Sequence, residues 1–213
     1  MILNVSFTSR EILKCKDHEF QTTKEQNGGF YVLRNYITAD HDFIRCYETI
    51  TISTFGDYTF VDNIVPLIER WLAPVSLALY APGSDFNKTL SAIMYWRNCN
   101  GESSDLIKKF VTFHMVFENN HMPGYIPQDF DSLETSFQCD KKASFLLDKD
   151  AEYKKVNNLT FPINLLRNVA RRSALTHFVF ASDIELYPSV GLVDTFLDLI
   201  MRNPSLVESG ENK

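Results

Sequence analysis

Apolar and polar positions along the chain form two kinds of segment, short apolar runs and stretches with a helical repeat. The apolar runs predict four strands, which are Ile50–Phe55, Pro74–Tyr80, Lys109–Glu118 and Thr176–Ile184. Apolar residues that recur every three or four positions predict helices at about Val61–Trp71, from Ser84 or Asp85 through Arg97, Pro162–Ala174 and Leu192–Met201. Because strands and helices alternate, we expect an α/β fold built on a mostly parallel sheet.

The remaining segments have weaker patterns. The first 48 residues predict short strands and loops, of which Phe30–Ile37 is the most strand-like. Prolines, glycine and charges in Asn119–Leu159 predict a long irregular connection, with a short helix near Ala143–Asp148. We therefore expect an N-terminal extension over residues 1–48, an α/β domain over 49–203 and a tail over 204–213.

Composition excludes several classes of protein. Of 213 residues, 45% are hydrophobic and 23% charged, which is typical of a globular domain. The 21 Lys and Arg residues against 27 Asp and Glu give a net charge of −6, which disfavours binding to nucleic acid or anionic membranes. No apolar run approaches the roughly 20 residues that span a bilayer, so we expect no membrane segment in this chain.

The four cysteines are Cys15, Cys46, Cys99 and Cys139. They lie too far apart for the C-x-x-C patterns of zinc and redox sites. An even number permits two disulfides, but four buried free thiols are equally compatible with the sequence.

The end of the fourth predicted strand carries the clearest candidate chemistry. Ligands of open α/β sheets bind beyond the carboxyl ends of the strands, and Asp183 and Glu185 fall at this end. Two residues apart on a strand, their carboxylates are expected on the same side. Such a pair suits Mg²⁺ or Mn²⁺, which can bridge to a diphosphate. Two carboxylates that merely face water are an alternative interpretation.

The helix before this strand has one continuous polar face. Its residues are spaced at i, i+3, i+4 and i+7, namely Asn164, Arg167, Asn168 and Arg171. The opposite side, expected to pack on the sheet, consists of Ile163, Leu166, Val169 and Ala170. A solvated face is the usual meaning of such a pattern, but asparagine is a poor helix former. Arg167 can instead offer a bidentate fork to a carboxylate or phosphate.

Other sequence patterns are weaker evidence for a functional site. Asp129-Phe130-Asp131 repeats the D-x-D spacing but lies in the irregular stretch, so a solvated loop is expected. Asp40-His41-Asp42 is expected to form a polar turn. His114 lies inside an apolar run and is expected to be a core histidine rather than a ligand. The P-loop and the G-x-G-x-x-G, G-x-S-x-G and H-E-x-x-H motifs are absent from the sequence.

Four stretches together resemble glycosyltransferase family 49, namely YVLRNYI, WLAPVSLALYAPGSDFN, FVTFHMVFE and NLLRNVARRSALTHFVFASDIELYPSVGL. The resemblance runs from about Phe30 to Asn203 and is most specific over Asn164–Gly191. It implies a GT-A fold, a Rossmann-like nucleotide-binding sheet with helices on both faces. It also implies inverting transfer from a UDP-sugar, UDP-glucuronic acid in characterised members, with Mn²⁺ or Mg²⁺. The acceptor in those members is an O-mannosyl glycan, and they are anchored in the Golgi membrane.

The resemblance also assigns roles to individual residues. Asp183 and Glu185 occupy the D-x-D motif and become metal ligands, with Glu in place of the second Asp. Arg167 and Asn168 match an R-N pair that lies near the donor, where Arg167 is the best candidate to bind a uronic carboxylate. Asn164, on the same helix face, is expected to contribute to donor binding.

The first strand is where GT-A folds receive the nucleotide base, so Thr51, Thr54 and Gly56 are further expected donor contacts. No catalytic base can be assigned, and only 28 residues follow Glu185. We therefore expect most of the acceptor-binding half to be missing, whether the chain is a fragment or a truncated, inactive relative. The alternative function is a non-catalytic module that binds a sugar nucleotide or a glycan.

Overall fold

The centre of the molecule is a mixed sheet, seen in a computed structural model that describes residues 10–41, 43–128, 130–139 and 152–208. Its six strands are β1 (Thr23–Asn27), β2 (Phe30–Ile37), β3 (Ile50–Gly56), β4 (Val75–Tyr80), β5 (Val111–Glu118) and β6 (Phe178–Ala181). Their order across the sheet is β1-β2-β5-β4-β3-β6. The four strands β5, β4, β3 and β6 are parallel, whereas β1 and β2 are antiparallel to their neighbours. The predicted α/β fold is confirmed.

The helices of the described residues are α1 (Ile64–Trp71), α2 (Asp85–Asn98), α3 (Glu102–Phe110), α4 (Phe130–Thr135), α5 (Tyr153–Val156), α6 (Ile163–Arg172), α7 (Leu192–Arg202) and α8 (Ser205–Glu208). The four helices expected from periodicity correspond to α1, α2, α6 and α7. Helix α3 was not predicted, because six of its nine residues are polar and its apolar repeat is short. In the structure, Ile107 is its fully buried apolar residue. The helix expected near Ala143–Asp148 lies outside the described residues.

The N-terminal segment supplies a hairpin to this same sheet. Strands β1 and β2 are joined at Gly28, which has φ of +58° as tight hairpin turns require. Strand β2 pairs antiparallel with β5, and Val32 lies opposite Val116. The hairpin within residues 1–48 is therefore continuous with the sheet of the expected domain 49–203.

Helices cover both faces of the sheet. On one face, Leu77 and Leu79 of β4 pack in the same cluster as side chains of α1, α2 and α3, such as Leu67, Ile93 and Ile107. On the other face, the alternate residues of β4 pack with α6 in a second cluster that includes Ala78, Tyr80, Leu166, Val169 and Ala170. Strand β4 is buried along its whole length, which explains why all of its residues except Ser76 are hydrophobic.

A chain of hydrogen bonds crosses the second of these layers at His114. The Asn35 N–H, in an irregular part of the β2–β5 pairing, donates to His114 Nδ1 at 2.8 Å. Nε2 must then carry the proton, which it donates to Ser76 Oγ at 2.8 Å, and the Ser76 hydroxyl donates to the Ala170 carbonyl at 2.7 Å. Burial lowers the pKa of His114 to about 3, so the ring is neutral. The expectation of a core histidine is confirmed.

Two disulfides settle the cysteine alternatives. Cys15 pairs with Cys46 and Cys99 with Cys139, with Cα–Cα distances of 6.1 and 5.5 Å. The second bridge holds the segment around α4 against the end of α2.

Beside the second bridge lies a buried ion pair. The guanidinium of Arg97 is 2% exposed and donates to Glu134 Oε1 at 2.9 Å and to Asp40 Oδ2 at 3.3 Å. Asp40, expected in a polar turn, lies in irregular chain, and its exposed carboxylate pairs with the buried guanidinium of Arg97. Asp42 lies outside the described residues. Across the described ranges, no helix is both long and apolar enough to cross a membrane.

Candidate functional site

A cavity of about 390 Å³ lies at the carboxyl edge of the sheet, where β3 and β6 end side by side. Parallel neighbours place the residues that follow them at a common edge, which is where α/β folds bind ligands. The lining comes from the end of β3, the start of α6, the segment after β6 and a strap before α6, and consists of Phe55, Gly56, Asp57, Phe60, Lys154, Phe161, Ile163, Arg167, Asp183, Ile184 and Glu185.

Asp183 and Glu185 both line this cavity, but they do so from a turn rather than from a strand. Strand β6 ends at Ala181, earlier than the apolar pattern predicted, and the Leu186 N–H donates to the Asp183 carbonyl at 3.0 Å. Between the two carboxylates, Ile184 is buried in the main core. The strand alternation invoked above therefore does not explain their placement; the turn, anchored by Ile184, does.

Arg167 reaches the same cavity from α6 and pairs with Asp183. Its Nη2 donates to Asp183 Oδ1 at 2.9 Å, and both side chains are about half exposed, at 54% and 46%. The guanidinium carbon lies 5.0 Å from the ring centroid of Phe55, in a cation–π contact. An ion pair this exposed adds little to the stability of the fold. It is relevant here because both of its residues line the cavity.

Lys154 is a second cation at the cavity, and it was missed in the sequence. Its ammonium group donates to the carboxylates of Asp57 and Glu152, and lies 5.6 Å from the ring centroid of Phe161. Burial alone would lower the pKa of Lys154, but the hydrogen bonds and charges of Asp57 and Glu152 outweigh it and raise that pKa. Lys154 is therefore a charged, tightly held residue. Its only sequence signal was one lysine among several charges in an irregular stretch.

The strap that carries Lys154, residues 152–161, is held by the loop and helix after β4. The buried carboxylate of Asp85 accepts the backbone N–H groups of Tyr153 and Lys154 at 2.9 and 3.2 Å. The Tyr153 hydroxyl lies 3.0 Å from His121 Nδ1, and its ring packs directly on Gly83. Burial raises the pKa of Asp85 even though these two N–H groups act to lower it.

Not every predicted residue reaches this cavity. Asn164 and Asn168 lie exposed on α6, outside its lining. Thr51 and Thr54 are buried inside β3, and the Thr51 hydroxyl is 2.7 Å from that of Thr176, away from the carboxyl end. Gly56, at the end of the strand, does line the cavity. The structure thus brings Gly56 to the cavity together with the three charged residues, Asp183, Glu185 and Arg167. The two threonines and the two asparagines lie outside the cavity lining.

Ile163 departs from its expected position as well. It was predicted to pack on the sheet with Leu166, Val169 and Ala170, but it is 44% exposed and forms part of the cavity wall. The other three are buried as expected. Ile163 is the first residue of α6, so it extends past the sheet edge.

The carboxylates of Asp183 and Glu185 suit a metal ion that is held partly by the protein and partly by the substrate, rather than one enclosed by protein side chains. Within the described ranges, no group of three or more His, Cys, Asp or Glu side chains could hold a metal ion. Mg²⁺ and similar cations are commonly held by one or two carboxylates, with the remaining positions taken by water and substrate phosphates. Asp183 and Glu185 fit that donor set. The second D-x-D pattern, at 129–131, begins outside the described residues, so its assignment stays a prediction.

Comparison with known proteins identifies the family of the chain. Residues 49–213 match the sequence model of a family described as glycosyl-transferase for dystroglycan. β-1,4-Glucuronyltransferase 1 of Danio rerio is 28% identical over 158 residues, which cover 72% of this chain and 36% of that protein. The human protein of the same name is 25% identical over 139 residues, 62% of this chain and 32% of that protein.

A further relative is the xylosyl- and glucuronyltransferase LARGE2s of Gallus gallus, 24% identical over 162 residues, 72% of this chain and 16% of that protein. The chain spans about a third of the length of the β-1,4-glucuronyltransferases that it matches. The family match covers well over half of this chain and includes every residue that lines the cavity. The chain therefore belongs to the glycosyltransferase family for dystroglycan, glycosyltransferase family 49.

Proposed function

We propose that this chain forms the donor-binding part of a metal-dependent glycosyltransferase and binds a UDP-sugar in the cavity beyond the carboxyl ends of β3 and β6. The observation that carries the proposal is the meeting of Asp183, Glu185 and Arg167 at one cavity on the carboxyl edge of the parallel strands. Several matched relatives are named glucuronyltransferases, so UDP-glucuronic acid is the proposed donor.

The cavity has the chemistry that this donor requires. A UDP-sugar carries a diphosphate, and two cationic side chains, Arg167 and Lys154, line the cavity beside apolar walls. Asp183 and Glu185 are the proposed ligands of Mn²⁺ or Mg²⁺. When bound, such a cation neutralises negative charge on the departing UDP. Arg167 can offer its planar fork to a phosphate or to the uronic carboxylate.

The other residues expected to contact the donor differ in how close they lie to the cavity. Gly56 lines the cavity at the end of β3, so we propose that its backbone contacts the donor there. Asn164 and Asn168 lie exposed on α6, and we propose that they contact only a part of the ligand that extends beyond the cavity. We leave Thr51 and Thr54 out of the proposal because both are buried within β3.

The acceptor and the compartment are proposed from the resemblance to the family. We propose a glycan acceptor such as an O-mannosyl or xylosyl chain, and a location in the Golgi lumen. Two disulfides support a compartment of the secretory pathway, since such bonds persist in oxidising environments.

A second candidate function is a non-catalytic module that binds the sugar nucleotide. Inverting transfer needs a base that takes the proton of the acceptor hydroxyl. We assign this role to none of the described cavity residues, because Asp57 is paired with Lys154 and the other two carboxylates are proposed metal ligands. This lack of an assigned base is the observation that favours the module.

Calorimetric titration with UDP-glucuronic acid, with and without Mn²⁺, tests donor binding. We expect binding that depends on Mn²⁺. Asp183→Asn should weaken it at least about tenfold, since even loss of an outer-shell partner of a metal costs that much. The control is Asp198→Asn, which removes an exposed carboxylate of α7 that pairs with Arg202. Binding that is independent of Mn²⁺ and unchanged by Asp183→Asn would contradict the proposal.

Release of UDP from UDP-glucuronic acid in the presence of a xylosyl acceptor separates the two candidates. Acceptor-dependent release that is lost in Asp183→Asn would establish a transferase. Metal-dependent donor binding without any release would establish the binding module.

A further inference from the structure

We propose that Arg167 exchanges partners during binding: it pairs with Asp183 in the free protein and moves to an anionic group of the donor, which frees Asp183 for the cation. This inference rests on the proposed function, because it assumes that donor and cation share the cavity. It adds that Arg167 couples the two binding events.

The starting point is the ion pair itself. Arg167 Nη2 donates to Asp183 Oδ1 at 2.9 Å, so one of the two oxygens that Asp183 can offer to a cation is already engaged by a positive group. A metal ion approaching Asp183 meets both the lost hydrogen bond and the repulsion of the guanidinium. In the free protein, Arg167 and the cation therefore compete for one carboxylate.

Arg167 is also the cavity cation that is free to change partner. It donates from one nitrogen only, and in the part of the chain that the structure describes no other residue accepts from its remaining N–H groups. Both side chains of the pair are about half exposed, so separating them costs little. The ring of Phe55, 5.0 Å from the guanidinium carbon, supports the group while its acceptors change.

Lys154 provides the contrast within the same cavity. Its side chain is 15% exposed and is bonded to two buried carboxylates, Asp57 and Glu152. Moving Lys154 toward a ligand would take from the buried carboxylate of Asp57 the cation with which it pairs, which is costly, whereas Glu152 would keep its ion pair with Lys155. Arg167 leaves behind only an exposed carboxylate, and that carboxylate is the one to which a cation would then bind.

If Arg167 exchanges partners, its substitution should change the affinity for Mn²⁺ and the affinity for the donor in opposite directions. Removing Arg167 removes the competitor, so Mn²⁺ alone should bind tighter. It also removes a donor contact, so the donor should bind more weakly. A residue that only binds the donor would leave the affinity for Mn²⁺ unchanged, and one that only orients Asp183 would make Mn²⁺ bind more weakly when it is lost.

Binding of Mn²⁺ without nucleotide, followed by electron paramagnetic resonance of the free ion, measures the first effect. For Arg167→Gln we expect affinity about two- to fivefold higher than in the unsubstituted protein, the size set by one exposed ion pair. The control is Arg171→Gln, which removes another exposed positive charge one turn further along α6. Unchanged or weaker binding in Arg167→Gln, or an equal gain in both variants, would overturn the exchange.

Calorimetry with Mn²⁺ present measures the second effect. Arg167→Gln should lower the affinity for UDP-glucuronic acid by about fivefold or more, in keeping with a lost charge-assisted contact. UDP-glucose distinguishes the two anionic groups: a loss with both donors places Arg167 on the diphosphate, and a loss with UDP-glucuronic acid alone places it on the uronic carboxylate. No loss with either donor would overturn the exchange.

A second substitution at the same position distinguishes the exchange from an effect of misfolding. Arg167→Lys keeps a charge that can still pair with Asp183, so Mn²⁺ affinity should stay near that of the unsubstituted protein while donor affinity falls. If the unsubstituted protein binds neither Mn²⁺ nor the donor, the proposed function fails and the exchange with it. If it binds both and Arg167→Gln leaves Mn²⁺ affinity unchanged, only the exchange fails.

Discussion

At the scale of single residues, His114 shows how one buried polar side chain can join four elements. Its ring accepts from the backbone of β2 and donates to Ser76 of β4, which in turn donates to the last part of α6. Helix α6 also carries Arg167, so the chain of hydrogen bonds at His114 helps to hold a cavity residue in place. A buried group of this kind is stabilising only while all its hydrogen bonds are made.

The lowered pKa of His114 predicts how stability depends on pH. The folded state keeps the ring neutral down to about pH 3, whereas an unfolded histidine binds its proton at an ordinary pKa near 6.5. Between these values the unfolded state binds more protons, so stability is complete above about pH 6.5 and falls as the pH drops toward 3. The contribution of this one group is at most about 1.4 kcal/mol per pH unit.

Urea unfolding of His114→Leu at pH 7 and pH 5 checks this prediction. At pH 7 the variant should be less stable by about 2–3 kcal/mol, because the Asn35 N–H is left buried without an acceptor. Between pH 7 and pH 5 it should lose less stability than the unsubstituted protein. The same substitution at the exposed His177 is the control. An identical pH dependence for His114→Leu and the unsubstituted protein would refute the assignment.

At the scale of elements, the strap over the sheet edge depends on how closely it approaches Gly83. This glycine has φ of +52°, and a Cβ placed on it would lie 2.5 Å from the ring of Tyr153. The strap also carries Lys154, so the contact at Gly83 sets the position of one wall of the cavity. Gly101 offers a matched comparison, with φ of +58° and no atom within 4 Å of an added Cβ.

Gly83→Ala should therefore be more harmful than Gly101→Ala. Both variants place a side chain on a residue with positive φ, which costs about 1–3 kcal/mol. Gly83→Ala must in addition displace the Tyr153 ring, so its midpoint in urea should fall further and trypsin should cleave faster after Lys154 and Lys155. Equal losses of stability and equal cleavage rates in the two variants would show that the strap does not rest on Gly83.

At the scale of the whole molecule, the two disulfides tie peripheral segments to the sheet domain. The bridge between Cys15 and Cys46 spans 31 residues of sequence and fastens the segment before β1. The bridge between Cys99 and Cys139 spans 40 residues and holds α4 over the buried Arg97. Cross-links of this span stabilise a fold chiefly by restricting the unfolded chain.

Reduction should destabilise the protein without abolishing its core. We expect Cys99→Ser/Cys139→Ser and Cys15→Ser/Cys46→Ser each to lower the free energy of unfolding by about 2–4 kcal/mol, measured in urea without reductant. Alkylation of the denatured, unreduced protein followed by mass measurement should label none of the four cysteines. Labelling of all four would contradict the pairing.

The sequence by itself determined the central strands and the main helices around them. Strand β4 is covered on both faces and is apolar except for the hydrogen-bonded Ser76, whereas α6 is covered on one side and is apolar on that side alone. Such patterns are local, so they can be recognised without knowing the fold. The position of Asp183 at the carboxyl edge was also predicted, because parallel strands gather their carboxyl ends at one edge of a sheet. Its ion pair with Arg167 was not predicted.

Only the tertiary structure decided which distant residues complete the site. Lys154 pairs with Asp57 across 97 residues of sequence, and no periodicity marks either as a partner of the other. The hairpin of β1 and β2, the cysteine pairing and the burial of Thr51 against Thr176 likewise depend on which surfaces come together. A local pattern reports which side of an element faces solvent; the partner on its buried side is chosen by competition among all the surfaces of the folded chain.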